Sequence, residues 1–202
     1  MYSVKNEVYY HINTGSNLQI NDTLDIGQEY NNFYYEIYNT EHIKDDKDAN
    51  VVLLEMLNNK SLSFNDVSSE KLVLNTISDD AMITRELMFE ETRKEVDDNL
   101  PSRFKCLYVC KSIDEIKSWI NIFKRTNKNN YQILKLQLTG TIFVGDASFV
   151  LRQNISLNKK KEQAISYWSG CKKDNINEYL FIGKAKVLEI VKEGEINNEN
   201  KI

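Results

Sequence analysis

Asn177-Glu178-Tyr179-Leu180-Phe181-Ile182 reads as a short strand with a carboxylate at its start. Gly183 interrupts it, and Lys184 to Val191 reads as a second strand, so two strands close the chain. A charged residue at the start of a half-buried strand has two readings. Strand ends face water, and Glu178 is then simply solvated; alternatively it points into a cleft and meets developing positive charge. Upstream, Tyr131 to Leu138 is a strand with Gln132, Leu134, Leu136 and Leu138 on one face, and Gly140 starts a turn into Thr141-Ile142-Phe143-Val144. Phe104 to Cys110 alternates in the same way. Phe104, Cys106, Tyr108 and Cys110 take one side, and Lys105, Leu107 and Val109 the other. Near the start, Glu7-Val8-Tyr9-Tyr10-His11-Ile12 is rich in aromatic and β-branched residues, and Asn13-Thr14-Gly15-Ser16-Asn17 follows as a turn.

Helices separate these strands. Ser78 to Val96 carries the clearest periodicity: Met82, Phe89 and Val96 recur at sevens, with Ile83 and Leu87 beside them. Ser78, Asp79 or Asp80 can cap its start, and Arg85, Glu86, Glu90 and Arg93 are expected on its flanks. Leu100-Pro101 ends the run. Ser112-Ile113-Asp114-Glu115 fits a capping box and opens a helix with Ile113, Ile116, Ile120 and Phe123 as its buried stripe and Trp119 beside it. Residues 158–168 form a basic helix ending in Tyr167-Trp168, with Gly170 as its stop. Between 28 and 78 lie an aromatic patch (Phe33, Tyr34, Tyr35, Tyr38), a charged stretch from Lys44 to Asp48 expected as a solvated loop, and a helical apolar run from Val51 to Leu57. The spacing is not that of regular βαβ units, and no Gly-rich phosphate loop is present. The expectation is an α+β domain with mainly antiparallel sheets over residues 1–192, followed by a fraying tail at 193–202.

Composition narrows the class. A chain of 202 residues is long enough for one substantial core. Its net charge of −4 argues against a protein held to nucleic acid by bulk electrostatics. Three cysteines cannot all pair, and the chain starts without a signal-peptide pattern, so a reduced cytoplasmic protein is expected. Only two histidines and no C-x-x-C pair leave no zinc site to propose, and no apolar run reaches membrane-spanning length.

Three residues are candidates for chemistry: His11 at the end of the first strand, Tyr108 within Leu107-Tyr108-Val109, and Glu178. Taken singly, each is more often structural. Their order resembles that of the ADP-ribosyltransferase superfamily, in the diphtheria-toxin and poly(ADP-ribose) polymerase branch, which carries a His-Tyr-Glu triad on three strands. His11-Ile12-Asn13 matches the first motif, Cys106-Leu107-Tyr108-Val109-Cys110 the second and Asn177-Glu178-Tyr179-Leu180-Phe181 the third, with Trp119 where a second aromatic residue falls. Leu100-Pro101-Ser102-Arg103 and Tyr167-Trp168-Ser169-Gly170 look like an uncharacterised bacterial family within that superfamily.

The resemblance implies a fold of split antiparallel sheets with flanking helices and a partly helical insertion at about 31–100. It also implies NAD as a substrate, with no metal. Glu178, Tyr108 and His11 would be catalytic. His11, Asn13, Arg103, Tyr108 and Trp119 would bind NAD: Tyr108 and Trp119 flanking the nicotinamide, His11 on the adenosine ribose, Arg103 on the diphosphate; a surface position or a salt bridge to Glu90 or Glu86 is an equal reading of Arg103. The activity implied is mono-ADP-ribosyl transfer, or NAD glycohydrolysis, with an unknown protein or nucleic-acid acceptor, as in a toxin-like effector. Two positions depart from the pattern: Ile12 stands where the family has Gly, and Ile116 where it has a small Ser. They support the alternative of a catalytically inactive binding module on the same fold, or a partner-binding protein.

Overall fold

The structure, a computed structural model, describes residues 1–44, 46–58, 67–125, 131–150 and 153–192, with side chains left undescribed at 44, 67–70 and 121–125. It is an α+β fold with five α-helices among the described residues and strand pairings that are all antiparallel. The main sheet is built from β1 (Tyr2–Asn13), β2 (Thr23–Ile26), β5 (Leu107–Val109), β6 (Gln132–Asp146) and β7 (Asn177–Val191). A separate hairpin pairs β3 (Ile43–Lys44) with β4 (Lys47–Asp48). The helices are α1 (Asn32–Asn39), α2 (Ala49–Asn58), α3 (Val67–Asp97), α4 (Ile113–Arg125) and α5 (Leu157–Trp168).

Pairing runs in a ring. β1 pairs with β6, β6 with β7, and β7 with β5. Tyr10 and Cys110 then exchange both backbone hydrogen bonds, at 2.8 and 2.7 Å, which joins β1 to the residue after β5. The curled sheet encloses a core of alternating side chains, including Tyr9, Val109, Leu134, Leu136, Leu138, Phe181 and Val187. On its outer face, Phe143, Leu180 and Tyr108 pack against α3 and α5 through Phe89, Ala164, Tyr167 and Trp168. Trp168 Nε1 also donates to the Phe89 carbonyl at 2.7 Å, which fixes α5 against α3. The helix α4 covers another side with Ile116 and Ile120, packed beside Cys110 and Ile133.

Several expectations change. The strands read on either side of Gly140, and of Gly183, are each one continuous strand of 15 residues. The two glycines face each other in register, and a Cβ at Gly140 would lie 2.1 Å from the Ile182 carbonyl oxygen. They mark a close crossing of two bent strands, where backbone approach leaves no room for a side chain. The strand expected from Phe104 to Cys110 is only Leu107–Val109, because residues 102–106 turn back under α1. The helix expected from Ser78 starts at Val67, so Ser78, Asp79 and Asp80 lie in its interior and cap nothing. Met82 and Phe89 of its predicted stripe are buried, but Leu87 and Val96 are 45% and 40% exposed, whereas Arg85, Glu86 and Arg93 are buried. Of the charged stretch expected as a loop, Lys44 pairs with Lys47, and Asp48 with Ile43, in the two short strands β3 and β4.

Local signals read from sequence do appear elsewhere. The Ser112 Oγ accepts from the Glu115 N–H at 3.3 Å, while Glu115 reaches back to the Lys111 N–H at 2.6 Å, a capping box shifted by one residue on its return arm. Gly170, at φ +73°, terminates α5, with the Cys171 N–H bonded to the Ser166 carbonyl at 3.0 Å. The Phe123 side chain and the tail at 193–202 lie outside the described residues.

Candidate functional site

Glu178 is the second residue of β7 and is 7% exposed, so the solvated reading is excluded. Its position is set by the loop before it. Asp146 ends β6, is buried, and accepts from the Ser148 N–H and Oγ and from the Lys173 and Asn175 N–H groups at 2.7 to 3.0 Å. Burial works against the Asp146 charge, but these donors outweigh it and hold the carboxyl well below the usual carboxylate range. The loop is thereby pinned to the end of β6, and Glu178 comes to lie opposite Gly145.

Gly145 has a specific use. A Cβ there would sit 2.1 Å from the Tyr167 ring. Its absence lets Tyr167, fully buried on α5, lie across β6 and donate its hydroxyl to Glu178 Oε2 at 2.5 Å. The same oxygen accepts from Arg103 Nη1. Arg103 is buried in the turn before β5. Its Nε donates to Glu86 Oε2 at 2.7 Å, and its Nη2 to Glu86 Oε1 at 3.3 Å. Arg85 completes the chain, donating from Nε to Glu86 Oε1 at 2.9 Å and also from Nη2. Two guanidinium groups thus alternate with two carboxylates, Arg85–Glu86–Arg103–Glu178. Burial penalises both the Glu86 and the Arg103 charge, yet attraction wins: Arg103 and Arg85 hold Glu86 below its ordinary value, and Glu178 and Glu86 hold Arg103 well above its own.

Aromatic rings line the cation. The Arg103 guanidinium lies 5.5 Å from the ring centroids of both Tyr108 and Tyr167 and 5.9 Å from that of Phe89. Tyr108 Oη donates to the Arg103 carbonyl at 3.0 Å. His11, half-buried on β1, has Nδ1 2.8 Å from the Tyr108 carbonyl. Burial pushes the imidazole down to about 4, so His11 is neutral at pH 7. Neutral imidazole beside a carbonyl donates through Nδ1–H, which leaves Nε2 as the acceptor.

His11, Tyr108 and Glu178 therefore occupy β1, β5 and β7 and are joined by a continuous set of contacts through Arg103. Arg103 itself faces inward onto two carboxylates, away from the role expected for it on a diphosphate. Asn13 is used locally: its Oδ1 accepts from the Gly15 N–H at 3.2 Å, and its Nδ2 donates to the Ser16 carbonyl at 2.9 Å. Trp119 packs on the α4 side with Tyr10, Ile12 and Ile116. Phe33 of α1 lies edge-on to Tyr108 at 6.2 Å, the place expected for Trp119. Ile116 is fully buried in that α4 cluster. Cys106 is buried, and burial raises its thiol pKa, which makes it a core residue. Among the described residues no group of three metal-ligating side chains occurs.

Tyr167 and Gly145 belong to the site without a role expected for them from sequence, whereas Glu86 is one of the two carboxylates expected as a salt-bridge partner of Arg103. A signal existed for Glu86, which falls between Met82 and Phe89 at helical spacing and so occupies an apolar position with a carboxylate. Gly145 offers none by itself.

A family model described as protein of unknown function matches residues 9–193. The chain belongs to the DUF2441 family. No curated protein matches it. The DUF2441 match contains the whole ion chain together with His11 and Tyr108, so the buried site lies within the family's region.

Proposed function

We propose that this protein cleaves the nicotinamide–ribose bond of NAD and transfers ADP-ribose to a macromolecular acceptor, on an ADP-ribosyltransferase-like fold of split antiparallel sheets. The carrying observation is the adjacency of His11, Tyr108 and Glu178 on neighbouring strands, in the order that the resemblance implies. In this reading the C1′–N bond breaks, nicotinamide leaves with the bonding pair, and positive charge develops at the ribose carbon. A carboxylate fixed nearby stabilises that charge. Glu178 suits the role because Arg103 and Tyr167 both hold Oε2, so the carboxylate cannot rotate, while Oε1 accepts no hydrogen bond from the described residues. Arg103 divides its charge between Glu178 and Glu86, so Glu178 is only partly neutralised. The acceptor's lone pair then forms the new bond to C1′, and its proton passes to solvent. His11, through Nε2, would accept from a ribose hydroxyl, and the Tyr108 ring would bear on the nicotinamide.

A second reading has its own support. The Arg103 guanidinium lies directly against Glu178, between the rings of Tyr108 and Tyr167, where a substrate ring would otherwise sit. An inert binding module is consistent with that packing and with Ile12. One experiment separates the readings: incubation of the folded protein with NAD, following released nicotinamide. The enzyme reading expects release that disappears in Glu178→Gln with the fold retained. NAD binding without release supports the module, and neither binding nor release sinks both.

A further inference from the structure

The buried charges of the described residues are compensated, with one exception. Arg93 meets Glu90 and Asp98 at 3.1 and 2.9 Å, and Arg103 lies between Glu86 and Glu178. Asp146 is held by its N–H and hydroxyl donors. Lys160 of α5 is 4% exposed, yet it has no carboxylate within salt-bridge distance among the described residues. Its Nζ donates to the Ala81 carbonyl of α3 at 3.1 Å. That oxygen lies inside α3, where it also accepts the Arg85 N–H of the helical ladder. An ammonium has three N–H donors, so Lys160 uses one, on an acceptor that is already engaged.

The charged group beside Lys160 has the same sign. Ala81 and Arg85 are one turn apart on α3, and burial first, then the Arg85 charge, lowers the Lys160 pKa. Arg85 commits Nε and Nη2 to Glu86, while Nη1 makes a longer contact of 3.3 Å with the Val150 carbonyl. Arg85, Arg103 and Lys160 thus stand against Glu86 and Glu178, three buried cations against two carboxylates. An ion left unpaired in a low-dielectric interior is strongly disfavoured, and an anion relieves it. Val150 is half-buried, so the Nη1 arm of Arg85 lies near the protein surface.

We propose that Lys160 and the Nη1 arm of Arg85 form a binding site for a small oxyanion of phosphate size, which enters beside Val150. The site does not depend on NAD cleavage. Thermal unfolding of the full chain in sodium phosphate and in sodium chloride, at equal ionic strength, tests it. At ten times its dissociation constant, phosphate is expected to raise Tm by about 3–6 °C over chloride. Phosphate also stabilises proteins in general, by exclusion from their surface. Lys160→Met keeps that general effect and is expected to lose the rest of the response. In chloride the variant is expected to be at least as stable as wild type, because an unpaired charge is gone. Lys160→Gln, which can still donate to the Ala81 carbonyl, is expected to lose the phosphate response as well, and it carries the test if the methionine variant does not fold. The proposal is overturned if phosphate and chloride act alike on wild type, if phosphate raises Tm equally in wild type and the folded variants, or if both variants are less stable than wild type in chloride.

Discussion

Removing Arg103 tests the ion chain at its centre. The Arg103→Met substitution keeps most of the side-chain volume and deletes the charge that two buried carboxylates share. Glu86 retains Arg85, but Glu178 retains only the Tyr167 hydroxyl. With 5% of the Arg103 side chain and 8% of the Glu178 side chain exposed, water cannot replace the lost partner. Breaking a buried pair on one side costs about 3–5 kcal/mol, because a charge is left uncompensated. Neutralising that charge as well relieves the penalty. Glu178→Gln in the Arg103→Met background is therefore expected to recover about 2–3 kcal/mol, a coupling typical of directly bonded groups. Urea unfolding followed by tryptophan emission measures the cycle, since Trp168 lies in the same cluster as the Arg103-lining rings. Two results would refute the reasoning: a cost for Arg103→Met under about 1 kcal/mol, or single effects that simply add.

Two further outcomes follow from neighbouring residues. His11 has a folded pKa of about 4 against an ordinary 6.5, so the unfolded chain binds the extra proton between those values. Stability from this group is full above pH 6.5 and is lost as pH falls toward 4, by about 3 kcal/mol in all. Chemical denaturation across that window should show the slope, and His11→Gln should flatten it. Gly145→Ala would drive a methyl group into the Tyr167 ring, at an expected cost of about 2–3 kcal/mol in urea unfolding. Tyr167→Leu in the same chain should recover part of that loss, and a neutral Gly145→Ala would mean that the ring does not lie over β6.

The sequence was informative where one local rule governs the outcome. The capping box at Ser112, the stop at Gly170 and the strand alternation around Leu134 to Leu138 each depend on a few neighbouring residues. It misled where a tertiary contact reverses the local meaning. Gly140 and Gly183 carry a turn signal, yet each is needed because the other approaches it. Arg85 and Glu86 read as a solvated flank because charge is normally outside. They are inside because Arg103 arrives from another part of the chain to pair with them. Of the candidate site, the neighbours His11, Tyr108 and Glu178 were legible through their motifs. Arg103 reads from sequence equally as a diphosphate contact and as a surface or salt-bridge residue with Glu90 or Glu86; the fold brings it to Glu86, and adds Glu178, which nothing in the sequence reveals. Trp119 was placed by order alone, and order does not say which side of a curled sheet a helix covers.

The place of β7 in the sheet bears on how the molecule is made. It is the last described strand, yet β2, β5 and β6 all pair with it. While the chain is being synthesised, β1 can meet β6, but β2 has no strand to join, and β5 has only the Tyr10–Cys110 bridge to β1, until β7 leaves the ribosome. The carboxylate of Glu178 also arrives only then, to meet an arginine 75 residues upstream. Assembly is thus held back until β7 has emerged, with a high contact order and correspondingly slow closure. Until that point the apolar face of β6 stands uncovered, and a nascent chain of this kind is the species a holding chaperone would meet.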